Sequence, residues 1–339
     1  MAQSVRLTPS TRPGRHFGAP PRLVPVTLLG LTTIAVAAAV MVMTIHHHRG
    51  TAVPRPGDYV SADRLVATGT VVPAGPAAST GSWTTPCGRD ENGHHNADNM
   101  ISKPGQPGGA MHMHDYVGNL ATDAETTDAD LEAAGTTCAY GDRSTYYWPS
   151  LRVIGAGSGV PSTPVAGNTG RILRPDSVLV QFRGNPVSKV LPMPILTRAV
   201  TGNASALTER GVNAEHVQWG CSGKPGFSTR SYPLCPAGQR LTRTFDFPSC
   251  WDGRRTDSPT HRAHLVFPDA GGACPEATFA VPQLHVVVAY TIPTGLKFAI
   301  DAMPGQLRSP LADHSDFIDV MPAGLMNRIV GCLNSGRTC

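Results

Sequence analysis

Charge is scarce in this chain. Only 15% of its 339 residues are Asp, Glu, Lys or Arg, and the formal net charge is +4. Part of that excess lies in arginines of the N-terminal tail, so the balance does not argue for a nucleic-acid partner. The sequence also lacks the Gly- and Pro-free stretches that helical bundles need, because it carries 36 Gly and 31 Pro. No repeat of the roughly 20–50 residues typical of solenoids is present. Several catalytic signatures are missing: the G-x-S-x-G elbow, the H-E-x-x-H zinc helix, the Walker loop and the dinucleotide fingerprint. Gly155-Ala156-Gly157-Ser158-Gly159 has no helical pattern after it and reads as a flexible loop. No Cys-x-x-Cys pair exists, which argues against zinc held by thiolates.

Long apolar runs are absent with one exception. Leu23 to Ile45 is an uncharged, mostly apolar segment of 23 residues, enough to cross a bilayer core of roughly 30 Å. Ala37, Ala38 and Ala39 would suit signal-peptide cleavage, but the run continues through Met41, Val42, Met43 and Ile45. That length favours an uncleaved anchor. Arg6, Arg12, Arg15 and Arg22 precede it, placing the N-terminus in the cytoplasm and the remainder outside the cell membrane. The expected organisation is a cytoplasmic tail over residues 1–22, an anchor over 23–45, a Pro-, Gly- and Ala-rich linker over 46–81, and an extracytoplasmic domain over 82–339. His46-His47-His48 reads as a polar edge beside the membrane rather than a metal site, since three adjacent side chains rarely converge.

All eight cysteines lie beyond the anchor. An even count in an exported segment points to disulfides, with about a hundred pairings open in principle. Neighbour pairing is the simplest: Cys87–Cys138, Cys221–Cys235, Cys250–Cys274 and Cys332–Cys339. Short runs rich in β-branched or aromatic residues predict strands at Ser177–Phe182, His216–Trp219, Arg240–Phe245, His264–Phe267 and Leu284–Ile292. Helical signals are few. Thr127-Asp128-Ala129-Asp130 before Leu131 reads as a capping start, with Gly135 as the stop. Leu325, Ile329 and Leu333 recur every four residues after Pro322. The expected fold is mainly β: a single antiparallel, β-sandwich-like domain containing disulfides and two minor helices.

Four stretches carry a family resemblance: Cys87–Asn119 (CGRDENGHHNADNMISKPGQPGGAMHMHDYVGN), Gly135–Arg152, Cys235–Pro268 with the CPEATFAVPQL that follows, and His314–Phe317 (HSDF). In order and spacing they resemble DUF1996, a domain of unknown function found in secreted fungal and exported actinobacterial proteins, sometimes beside carbohydrate-associated WSC modules. The resemblance implies membership and no activity. Bacterial members often read G-A-H-H-x-H where this chain has Gly109-Ala110-Met111-His112-Met113-His114, so a histidine is replaced here by Met111.

Within those stretches, side chains two apart on an extended segment share a face. His112 and His114 would project together, with Met111 and Met113 packing opposite. His314 and Asp316 form a second such pair, and His261 or His264 could add a further ligand. These six residues are the candidate catalytic positions, expected to meet in one polar cleft with side chains able to bind a metal. The alternative is that each histidine holds its own loop backbone. Glycoside hydrolysis would instead need two carboxyl groups about 5–5.5 or roughly 6.5–9.5 Å apart, with Asp115, Asp252, Asp257 and Asp316 available. Asp252 and Asp257 also suit turns. Trp83, Trp148, Trp219, Trp251, Tyr146 and Tyr147 offer sugar platforms or, more simply, core. The expectation is an extracytoplasmic protein acting on cell-wall or other polysaccharide, with a non-catalytic glycan-binding or metal-binding surface module as its rival. No cofactor is identifiable from the sequence.

Overall fold

β-Branched and aromatic runs separated by Gly, Pro and Asn turns fold as short antiparallel strands. The computed structural model describes residues 53–69, 71–155 and 165–339. The tail, the anchor, His46-His47-His48 and most of Gly155–Gly159 lie outside them. Among the described residues no helix is long and apolar enough to cross a membrane.

Ten strands matter for the site. In chain order they are β1 (Ser82–Thr84), β2 (His95–Asn96), β3 (His114–Gly118), β4 (Thr145–Pro149), β5 (Ser177–Arg183), β6 (Arg198–Gly202), β7 (Val217–Cys221), β8 (Leu241–Asp246), β9 (Gln283–Tyr290) and β10 (His314–Ile318). One five-stranded sheet runs β7-β8-β9-β5-β1 and the other β6-β10-β4-β3-β2. Their pairings are all antiparallel.

The main core lies between the two sheets. Val117, Tyr146, Trp148 and Phe317 from the second sheet join Val180, Phe182, Phe245, Leu284, Val286 and Val288 from the first. Phe317 meets Phe182 and Phe247, each with ring centroids 6.3 Å apart. Each such side chain removed from water contributes about 1.5–3 kcal/mol. A smaller cluster of Met100, Ile101, Leu131, Ile318 and Val320 covers part of the opposite face of the second sheet.

Two helices form where the caps predict them. α1 (Asp128–Ala133) starts at Thr127, whose side chain and that of Asp130 make a reciprocal capping box. α2 (Ala323–Asn334) buries Leu325, Ile329 and Leu333, with Pro322 standing one position before the first turn as N-cap. All four disulfides join sequence neighbours: Cys87–Cys138, Cys221–Cys235, Cys250–Cys274 and Cys332–Cys339. No cysteine is free. The ordered domain also reaches back before Ser82, because Tyr59–Ser61 pairs with Tyr232–Leu234 and the Tyr59 ring stacks on Tyr232.

One glycine fixes the spacing between β6 and β10. Gly202 adopts φ +71°, and a Cβ there would sit 2.3 Å from the Asp313 carbonyl and 2.8 Å from the His314 Cα. Gly202→Ala should therefore cost about 1–3 kcal/mol from backbone strain alone. Urea unfolding at constant m-value checks this, and an unchanged midpoint would contradict the close approach.

Candidate functional site

Strand parity decides what faces what. On β3, His114 and Tyr116 point away from the main core while Asp115 and Val117 point the other way. On β10, His314, Asp316 and Ile318 share the outer face. The register agrees, since Tyr147 of β4 stands opposite both Tyr116 and Asp316. His114 is opposite Pro149, and His314 is opposite Gly202 at the end of β6. His112 lies just before β3, after Met111 at φ +57°. The turn is pinned between the two histidines: the Met113 amide donates to Asp301 at 3.3 Å, and the Ser150 amide donates to the Met113 carbonyl at 2.8 Å.

The fold brings three histidines and one aspartate together. The Nε2 atoms of His112 and His314 are 3.2 Å apart. Ligand atoms of His112, His114 and His314 all lie within 4.8 Å of one another. Asp316 Oδ2 is 4.0 Å from His314 Nε2. All four residues are buried.

Hydrogen bonding sets the tautomers. His112 Nδ1 is 2.6 Å from the Ala110 carbonyl, His114 Nδ1 2.9 Å from that of Asp98, and His314 Nδ1 2.9 Å from that of Ala312. A carbonyl oxygen only accepts, so each Nδ1 carries the proton and each Nε2 presents a lone pair. His114 Nε2 and Asp316 Oδ2 have no hydrogen-bond partner although both are buried. Three lone pairs and a carboxylate oxygen thus converge with no donor among them. Protonating an imidazole does not resolve this near neutrality. Burial pushes His112 down to about 4 and holds His114 and His314 well below the usual imidazole range. Burial also pushes Asp316 up to about 7, against the opposing pull of Arg262 and the Asn99 amide.

A cavity of about 200 Å³ opens onto this cluster, with His112, His314, Asp316, His261, Arg262 and Lys103 on its walls. His114 is absent from that lining and lies behind it. His261 sits at φ +56° with its Nδ1 2.9 Å from Asp257 Oδ1. The carboxylate orients the ring and leaves Nε2 toward the cavity side of the loop as an acceptor. His264 is not part of the site. Its Nδ1 accepts from the Ser258 hydroxyl at 3.0 Å and its Nε2 donates to the Arg198 carbonyl at 2.7 Å, so both nitrogens are used by the backbone and its neighbour.

Other sequence-level candidates fall elsewhere. Asp115 and Asp316 occupy opposite faces of the same sheet and cannot flank one glycosidic bond. Asp252 accepts from the Arg254 and Arg255 amides, each at 2.9 Å, which is turn chemistry. Trp148, Trp219, Tyr146 and Tyr147 are core residues with at most 1% exposure. Met111 does not pack under the sheet; it is 44% exposed, so a histidine at that position would stand outside the cluster.

Two further clusters among the described residues resemble metal sites. Cys87, Cys138 and Asp142 contain a disulfide. Asp90, His95 and Asp115 place an imidazole between two carboxylates, Nδ1 3.0 Å from Asp115 and Nε2 3.3 Å from Asp90. The ion-pair distances are short, but Asp90 Oδ2, His95 Nδ1 and Asp115 Oδ2 are buried without a hydrogen-bond partner, and burial pushes Asp90 up to about 7. His94-His95 in the sequence was the only sign of it. A larger surface hollow of about 440 Å³ adjoins Gln218, Thr242 and the Asp246–His285 pair. That pair is closed on itself at 2.6 Å, so size does not choose the site.

Comparison with known proteins adds a family and nothing finer. No curated protein and no solved structure matches the chain. The family model described as a domain of unknown function, DUF1996, matches residues 99–318. That interval spans more than half of the chain and holds His112, His114, His261, His314 and Asp316. The chain belongs to the DUF1996 family.

Proposed function

We propose that this domain is a metal-dependent extracytoplasmic protein in which His112, His114 and His314 hold one divalent ion of the zinc type through Nε2. The observation that carries the reading is the set of three Nδ1–H groups tied to backbone carbonyls, which leaves every Nε2 lone pair aimed at one point. Metal-bound histidines commonly donate their second nitrogen in this way, which fixes the ring and raises its basicity. A tetrahedral centre with metal–nitrogen bonds of about 2.0–2.1 Å sets neighbouring nitrogens roughly 3.3–3.4 Å apart. The His112–His314 separation of 3.2 Å fits.

Three nitrogen ligands beside an open cavity are the arrangement of a catalytic rather than a closed structural site. A bound ion would supply Lewis-acid polarisation and hydroxide at neutral pH. Asp316, buried beside it, is placed to accept a proton or to complete the ligand set. His261, oriented by Asp257, stands on the cavity wall as the second proton-transfer group. The reaction class is hydrolysis. The substrate we take to be cell-wall or other polysaccharide, on the support of four disulfides and the apolar run Leu23–Ile45, which both fit an exported, membrane-anchored chain. A glycan-binding module built on exposed aromatics has less behind it, because no aromatic ring other than histidine lines the cavity.

Elemental analysis of the full-length chain, purified without chelator, should find one divalent transition metal per molecule. Stripping with EDTA should lower the melting temperature by several degrees, and zinc should restore it. A metal-free chain whose melting is indifferent to added zinc, copper and manganese would remove the proposal.

A further inference from the structure

The charges around the cavity are unbalanced. Asp316 is the sole carboxylate on its walls, and a divalent ion held beside it would outweigh that single negative charge. Arg262 and Lys103 add two cations. Neither makes an ion pair among the described residues: the guanidinium of Arg262 donates to two backbone carbonyls, Gly202 at 2.6 Å and Val200 at 3.4 Å. Those bonds fasten it to β6 without neutralising it. Arg198, the neighbouring arginine, is by contrast paired with Asp128 at 2.6 Å. Asp316, Glu209 and Glu215 act on Arg262 through space, but no carboxylate among the described residues forms a contact ion pair with it, so its remaining donors are open to an oxyanion from outside the chain.

Size narrows the ligand. At about 200 Å³ the cavity is below the roughly 300 Å³ at which whole small-molecule pockets begin. It accepts one charged group of something larger, which fits a polymer threading past the mouth.

We infer that the cavity recognises its substrate through an anionic group, the carboxylate of an acidic sugar or a phosphate ester, seated on Arg262 with Lys103 at the rim. This inference rests on the metal-centre reading for the ion's added charge, yet Arg262 carries most of it. The Arg262 fork has N–H donors beyond the two spent on carbonyls, and a planar guanidinium suits either oxyanion. Lys103 is exposed and acts as a point charge. Its share is smaller.

The test is equilibrium binding of inorganic phosphate, glucuronate and glucose to the zinc-treated full-length chain, with metal content measured in each sample. Phosphate or glucuronate should bind and glucose should not; whichever anion binds tighter identifies the source of the charge. Arg262→Gln, which keeps one amide donor for the Gly202 carbonyl, should lose about tenfold or more of that affinity while still holding one zinc. Lys103→Gln should lose only about two- to threefold, as suits a screened surface charge. Arg262→Lys preserves charge without the fork and should fall between wild type and Arg262→Gln, which guards against a folding defect in the latter. Equal binding of glucose and the anions, or unchanged anion affinity in Arg262→Gln, overturns the inference. Should the wild type hold no zinc, the metal reading falls. The same titration on the metal-free chain still decides whether anion binding depends on Arg262.

Discussion

His114→Asn should abolish stoichiometric metal binding while leaving the metal-free domain folded. In the wild-type ring, Nδ1–H donates to the Asp98 carbonyl at 2.9 Å and Nε2 faces the cluster without a partner. The amide of an asparagine reaches the Nδ1 position and can repeat the first bond. It has no atom at Nε2. The substitution thus deletes a ligand and keeps the backbone contact, and the same logic applies to His112 with the Ala110 carbonyl and to His314 with that of Ala312. Loss of a residue that merely orients a ligand costs about 10–100-fold in metal affinity; loss of the ligand itself should exceed that. The metal-free melting temperature should change little, because removing a buried lone pair opposed by others offsets part of the lost packing against Tyr116 and Tyr147. Two measurements read the outcome: metal content after dialysis, and the melting shift on adding zinc. A variant that binds zinc as tightly as the wild type would show that His114 serves only the Asp98 carbonyl. If instead the metal-free variant alone unfolds, the imidazole is chiefly a packing element.

The sequence revealed one sheet and half of the site, for a physical reason. Strands β5, β7, β8 and β9 were visible because they are rich in β-branched and aromatic residues, and each lies within a residue or two of its predicted span. Strands β3, β4 and β10 carry histidine, aspartate or tyrosine on the outer face, which blurs the alternation that marks a half-buried strand. Yet the i, i+2 geometry of His114 with His112 and of His314 with Asp316 was readable, because side-chain spacing on extended chain needs no tertiary knowledge. The choice between His261 and His264 as the further member was not readable. His264 sits in a bend whose direction is set by His261 at φ +56°, and that bend turns its ring into Ser258 and the Arg198 carbonyl. Disulfide pairing was legible because each bridge closes a local loop, from 7 to 51 residues apart in sequence. The run-in at Tyr59–Ser61 was hidden within Pro- and Gly-rich composition, since its stability comes from stacking on Tyr232 and Phe298 rather than from its own pattern.

Breaking the Arg243–Asp313 pair should be the most destabilising single change in the domain, at about 3–5 kcal/mol for Asp313→Asn or Arg243→Met. Both side chains are fully shielded from solvent, with Arg243 Nε 3.0 Å from Asp313 Oδ2. Burial alone would push the guanidinium down, but the Asp313 carboxylate beside it holds it above its ordinary value. The arginine also lies over the rings of Trp219 and Phe245, with its central carbon 5.2 and 5.3 Å from the centroids. Deleting either partner leaves one buried charge without its counter-ion. Deleting both removes that penalty, so Arg243→Met with Asp313→Leu should recover much of the loss. The pair should also govern the site. Arg243 donates to the Pro149 carbonyl at 2.9 Å, the residue paired with His114, and Asp313 accepts from the His314 amide at 3.0 Å. One ion pair therefore ties the end of β4, against which His114 pairs, to the start of β10, which carries His314. The double variant should fold, as judged by its urea midpoint, and still bind zinc more weakly than the wild type. Full stability with full zinc affinity in that variant would mean the strands hold their register unaided, and that the buried charges position nothing.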